Sequence, residues 1–126
     1  MMKFLILVLL LAGTAGSCDR SEDDQEISSK DLDLQFEAIT NLVATQNCSD
    51  SSQCSYMAYG SKACGGPKGY LVFSSDVDTV KLRTLVDNYT KAEDTYNQQN
   101  GIISDCSIVP PPQNINCIDG NCVKID

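Results

Sequence analysis

The chain has 126 residues, with 17 acidic against 9 basic side chains, a net charge of −8, seven cysteines and no histidine. So acidic a balance disfavours contact with phosphate backbones and anionic lipid surfaces, and no nucleic-acid partner is expected. The lack of histidine removes the commonest general base and the commonest metal ligand together.

The N-terminus meets the three requirements of a secretory signal in order: Lys3 for charge, the apolar run Phe4 to Ala12, and the small residues Ala15-Gly16-Ser17. The apolar run is far shorter than the roughly 20 residues that cross a bilayer core, so residues 1–17 read as a signal peptide and not as a membrane span. Ala15-Gly16-Ser17-Cys18 resembles the lipobox of bacterial lipoproteins. That resemblance implies that the Cys18 thiol receives a diacylglyceryl group and becomes the mature N-terminus, anchored in a membrane. The lipobox usually carries leucine or another branched apolar residue where this chain has Ala15. Ala15 and Ser17 also suit ordinary signal peptidase, so the alternative is a secreted soluble protein cut at the same bond.

Cysteine number bears on the choice, because an odd thiol in an oxidising compartment needs a separate role. With Cys18 lipidated, Cys48, Cys54, Cys64, Cys106, Cys117 and Cys122 remain, and six can pair completely. Oxidised thiols cannot ligate zinc, so neither a metal nor a cofactor is expected. The pairing itself is left open among fifteen connectivities.

Residues 18–30 follow as an acidic tether. Asp19 to Glu26 contains no apolar side chain, has nothing to bury, and should remain a solvated coil spanning about 20 Å. An acidic cluster beside a lipidated cysteine is similar to the surface-export signal of some Gram-negative lipoproteins, which implies the outer membrane and the cell surface.

Residues 31–126 are then one small disulfide-stabilised α+β domain: two helices packed on a mostly antiparallel sheet, with a C-terminal β-hairpin. Leu32, Phe36, Ile39 and Val43 share one helical face within 31–47, with Ser28 and Asp31 as a capping box. After a polar loop between Cys48 and Cys54, Ser55 to Tyr59 and Tyr70 to Phe73 read as neighbouring antiparallel strands. Ser75 and Asp78 suggest a second capping box. It leads a long amphipathic helix to about Gln98, with Val77, Val80, Leu85, Tyr89, Ala92 and Tyr96 inward and Glu93 and Asp94 on a solvated face.

Ile102 to Val109 is expected to form a third strand, ended by Pro110-Pro111-Pro112. Asp119-Gly120 is a strong two-residue hairpin signal that sets Cys117 opposite Cys122. Those two cysteines could bond to each other or reach outward, and the register leaves both open.

The segment Tyr59 to Tyr70 is the most distinctive stretch, with four glycines and two lysines in an acidic chain. Lys62, Gly65, Gly66, Pro67, Lys68 and Tyr70 form a candidate recognition loop; the plainer reading is a stapled turn between strands. The glycines lack phosphate-loop spacing. Without histidine no ordinary Cys–His pair can form, and no carboxylate pair stands out, so no catalytic residues are assigned. Cys64-Gly65-Gly66-Pro67 and the closing Cys117 to Cys122 run are similar to small secreted domains of uncharacterised bacterial lipoproteins. The expectation is a lipid-anchored, non-enzymatic binding module that meets an envelope or extracellular protein. An inhibitor of a hydrolase and a small envelope hydrolase are the alternatives.

Overall fold

A computed structural model of the chain describes residue 16 and residues 25–125; the rest of the expected signal peptide, Cys18 and most of the acidic tether lie outside the described residues. The element order is α1 (Ser29–Val43), a 3₁₀ turn (Ser51–Gln53), β1 (Cys54–Tyr59), β2 (Gly69–Ser74), α2 (Thr79–Gln99), β3 (Asn114–Ile118) and β4 (Asn121–Ile125). The domain is α+β, with two antiparallel two-stranded sheets, β1–β2 and β3–β4, in place of one larger sheet.

Helix α1 starts where its sequence signals it. The Ser28 hydroxyl accepts from the Asp31 backbone N–H at 3.2 Å, and the Asp31 carboxylate accepts from the Ser28 N–H at 2.8 Å. Leu32 and Ile39 are buried, with Phe36, Leu42 and Val43 packed beside them. Helix α2 starts later than the Ser75–Asp78 pattern suggests. Asp78 is itself the cap, accepting from the Lys81 N–H at 3.0 Å. The buried face is also not the expected one throughout: Val80, nine residues before Tyr89 and so on the opposite side of the helix, is 78% exposed, while Leu82 and Val86 are core. Val77, one residue before the cap, and Leu82, four residues into the helix, both enter the core in the positions of a hydrophobic staple.

The core lies between the two helices and the inner face of β1–β2. Met57 and Phe73 enter it from the strands. Phe36 sets its ring 5.4 Å from both Tyr59 and Tyr89, so one aromatic cluster joins α1, β1 and α2. In the C-terminal hairpin, Asp119 and Gly120 both take positive φ, 51° and 79°, as a type I′ turn requires. Cys117 duly faces Cys122, yet the two do not bond to each other. The disulfides are Cys48–Cys117 and Cys54–Cys122, which tie the hairpin to the start of the β1 region, and Cys64–Cys106, which does not involve the hairpin.

The third strand expected over 102–109 is absent. Residues 102–112 run without a turn, bend or ladder and join neither sheet. The segment is held to the 60–69 loop by Cys64–Cys106, and the three prolines have no N–H to give a ladder. We call it the strap.

Among the described residues no helix is long and apolar enough to cross a membrane. The core assignment predicts that Leu82→Ala, which empties a fully buried site, costs about 2–5 kcal/mol. Val80→Ala, two residues away, should stay within about 0.5 kcal/mol. Urea unfolding of the oxidised protein distinguishes the two.

Candidate functional site

The loop that the sequence marks as distinctive is built around a buried carboxylate. On α2, the spacing Leu82, Val86, Tyr89, Glu93 follows steps of four, three and four, so Glu93 points inward with the apolar residues. It is not on a solvated face; its side chain is 7% exposed. A buried carboxylate is tolerated only when its lone pairs are satisfied, and three donors meet this one. Oε1 accepts from the Ser61 backbone N–H at 2.7 Å. Oε2 accepts from the Lys68 ammonium at 2.9 Å and from the Tyr89 hydroxyl at 3.0 Å. Among the described residues no buried side-chain polar atom lacks a partner.

Gly60 makes this approach practicable. Its φ is +78°, and a Cβ there would sit 2.7 Å from the Lys68 Cβ and 2.8 Å from the Glu93 Oε1. The Gly60 N–H donates to the Thr90 hydroxyl at 3.0 Å, and the Asn97 amide donates to the Ser61 carbonyl at 2.9 Å. The loop is thus moored along one side of α2.

The remaining loop residues hold the strap. Lys62, whose side chain is 13% exposed, donates to Asp105 Oδ1 at 2.6 Å, to the Ser107 carbonyl at 2.7 Å and to the Ser107 hydroxyl at 3.2 Å. The Cys64 N–H donates to the Ser104 hydroxyl at 3.2 Å, beside the Cys64–Cys106 bond. Gly65 and Gly66 turn the loop at positive φ with open space around them. The Lys62 N–H donates to the Gly66 carbonyl at 3.0 Å and the Gly65 N–H to the Lys62 carbonyl at 2.9 Å. Pro67 is half-buried. Tyr70 stands apart on β2, its ring 5.8 Å edge-on from Tyr56. The structure therefore brings Lys62, Gly65, Gly66, Pro67 and Lys68 into one stapled double loop and leaves Tyr70 outside it.

Lys62 is largely buried against the strap, and Lys68, though its side chain is 53% exposed, pairs its charge with Glu93. The strap also exposes two large apolar side chains, Ile103 and Ile108, at 91% and 89%. Between loop, helix and strap lies a cavity of about 230 Å³ whose walls include Ser61, Lys68, Glu93, Asn97 and Ile102. A wider groove of about 450 Å³ runs between α1 and α2, edged by Leu34, Leu85 and Lys91. The Sγ atoms of Cys48, Cys54 and Cys122 lie within 4.8 Å of one another. Each is spent in a disulfide, and a metal would need thiolates.

Sequence reasoning missed Glu93 because its charge suggested solvent. Its place in the four-three-four stripe with Tyr89 was the available signal. Comparison with protein-family models, curated proteins and solved structures returns no match to this chain. Three disulfides are the chemistry of an exported protein.

The electrostatics have a definite sign. The Glu93 hydrogen bond holds the Lys68 proton above its ordinary value of 10.5. Burial, then the Glu93 hydrogen bond, does the same for the Tyr89 phenol above 10.0. Both raised values add stability below about pH 10 that fades as pH climbs through the folded values. At the other end, the Lys62 and Ser107 contacts hold the exposed Asp105 carboxyl below 3.8. Its tie to the loop therefore loosens only as pH falls through that lowered value.

Glu93→Gln should destabilise the domain by about 1–3 kcal/mol, the cost of poorly met buried donors, and should flatten the alkaline arm of a stability-versus-pH curve. Gly60→Ala should cost about 1–3 kcal/mol from its left-handed backbone alone, with more from the close contacts. Thermal unfolding across pH 5 to 11 reads both variants.

Proposed function

We propose that the chain is a lipid-anchored lipoprotein of the cell envelope or surface: Cys18 carries the lipid, residues 19–30 set the distance from the membrane, and the folded domain is a non-enzymatic binding module. The observation that carries this reading is the completeness of the pairing. Six cysteines form three disulfides with one another, so the domain has no further half-cystine to offer the seventh. A separate chemistry for Cys18 then accounts for the odd number, and the lipobox-like Ala15-Gly16-Ser17-Cys18 supplies one.

The binding role is supported by how the loop and strap are built. Two irregular segments are locked by a disulfide, an ion pair and hydrogen bonds, and the locked surface presents bare isoleucines. Order of that kind lowers the entropy cost of association. The carboxylate nearest the cavity supports a binding role over hydrolysis, since all three of its contacts are to donors of the fold itself.

Intact-mass analysis of the mature protein should find a diacylglyceryl adduct on Cys18, and Cys18→Ala should abolish detergent-phase partitioning while all three disulfides still form. An unmodified thiol at Cys18 in membrane-extracted protein would sink the anchor. The immobilised mature chain should retain a protein partner from envelope or extracellular fractions; retention of none would count against the module.

A further inference from the structure

The point where the chain enters the fold has a fixed place. The Ile27 backbone N–H donates to the Gln99 side-chain oxygen at 3.0 Å, and the Gln99 amide donates to the Gln25 carbonyl at 3.3 Å. Ile27 also packs against the core. The last residue of α2 thus holds the residues that precede α1, and the chain from Cys18 arrives at the C-terminal end of α2. Seven residue steps separate Cys18 from Gln25, a reach of at most about 25 Å.

The strap leaves from the same end. Gly101 takes φ 58°, and the Ile102 N–H donates back to the Asn97 carbonyl at 2.9 Å. Ile103 follows four residue steps after Gln99, and so lies within about 14 Å of it. Ile102 is 43% exposed and Ile103 91%. Scattered exposed isoleucines are ordinary on a protein surface. This pair differs in being adjacent and in standing where the anchored chain comes in. The C-terminal hairpin is attached elsewhere. Its turn receives the Cys48 N–H on the Gly120 carbonyl at 2.9 Å, after the C-terminal end of α1. The hairpin turn and the point of entry are therefore joined to opposite ends of a 15-residue helix, which is about 22 Å long.

We propose that Ile102 and Ile103 form a membrane contact: with Cys18 lipidated, the start of the strap rests these two side chains in the interface of the same bilayer, and the C-terminal end of α2 faces the membrane. The inference rests on the lipid-anchor reading and adds an orientation to it. Two isoleucines are too few to hold a free protein on a bilayer. A lipid on Cys18 makes their contact intramolecular, so effective concentration takes the place of affinity. With a net charge of −8 the chain gains nothing from anionic headgroups. The fitting surface is zwitterionic lipid, and salt does not loosen an apolar contact. The Cys64–Cys106 bond and the Lys62–Asp105 pair fix the strap just beyond Ile103, which lowers the ordering cost of presenting it. Ile108, on the other side of Cys106, stays with the surface offered to a protein partner.

The chain contains no tryptophan, so Ile103→Trp provides a single fluorescent reporter. Ile118→Trp, beside the hairpin turn and 47% exposed in the parent, is the control, since it carries the same preference of tryptophan for interfaces. Each lipidated variant, its lipid and three disulfides confirmed by intact mass, is reconstituted in phosphatidylcholine vesicles. The reporter at 103 should shift to shorter wavelength and lose intensity to brominated acyl chains, at low and high salt alike; the reporter at 118 should do neither. The reporter at 103 in a chain that also carries Cys18→Ala should stay unquenched by the same vesicles. In the lipidated protein without either tryptophan, amide hydrogen exchange at residues 103 and 104 should be slower on vesicles than in the Cys18→Ala chain, and Ile103→Asp should remove that difference.

Equal quenching at both positions, no quenching at 103, or release by salt in a protein whose lipid is confirmed overturns the membrane contact and leaves the anchor standing. Quenching at 103 that survives Cys18→Ala also overturns it, because the contact would then not depend on the anchor. A mature chain that carries no lipid on Cys18 overturns the anchor and this inference together.

Discussion

The C-terminal hairpin contributes no fully buried side chain, only half-buried ones such as Ile115 and Val123, so its attachment leans chiefly on covalent bonds. Cys48–Cys117 and Cys54–Cys122 supply them, from facing positions on β3 and β4 to the two ends of the polar loop before β1. In the chain-entropy model, loops of this length are worth about 4 kcal/mol each, a large fraction of what so small a domain has to spare. Two weaker contacts orient the joint: the Cys48 N–H donates to the Gly120 carbonyl at 2.9 Å, and the Ser51 hydroxyl bonds to the Asn116 side chain. The Asp119-Gly120 turn matters here because it sets the register that aims the two sulfurs at separate neighbours. A one-residue slip would turn both to the other face.

The other half of the molecule hangs on Glu93 in a comparable way. Helix α2 is fixed to the core by Leu82, Val86 and Tyr89, and Glu93 extends that stripe by one more inward position. From there the order of dependence runs outward: Glu93 holds Ser61 and Lys68, which sets the loop; the loop presents Lys62 and Cys64; and these hold Asp105, Ser107 and Cys106 of the strap. A single buried acid thus positions a segment it never touches. The charge of the loop is internally matched: Lys62 pairs with Asp105, and the half-exposed Lys68 with Glu93.

The sequence made the fold legible where local chemistry decides it. The Ser28–Asp31 box, the Asp119-Gly120 turn and the pairing of β1 with β2 follow from residues within a few positions of one another. It was misleading where tertiary context decides. The Ser75–Asp78 pattern resembles a capping box, yet Asp78 caps alone, and Val80 lies on the outer side of the helix while Leu82 joins the core. The run Ile102 to Val109 has strand composition, but β propensity expresses the fit to a neighbouring sheet, and this run, bound through Cys106 to the 60–69 loop, joins no ladder. Glu93 was hidden by its charge. The lysines of the loop were visible as distinctive but not as internal ties, because their partners Asp105 and Glu93 lie 43 and 25 residues away.

The three crosslinks also have an arrangement in sequence. Cys48–Cys117 and Cys54–Cys122 interlace, and Cys64–Cys106 lies within both. A single break in the backbone anywhere between residues 48 and 122 therefore leaves two fragments that remain covalently joined. A break on the strap before Cys106 is spanned by all three bonds, and one after it by two. The fragments stay in register, held at neighbouring points, so a nicked molecule keeps its shape and its cut ends remain close together. For a chain exported into a compartment where proteases act, that topology converts what would be destruction of the domain into a local and nearly silent lesion.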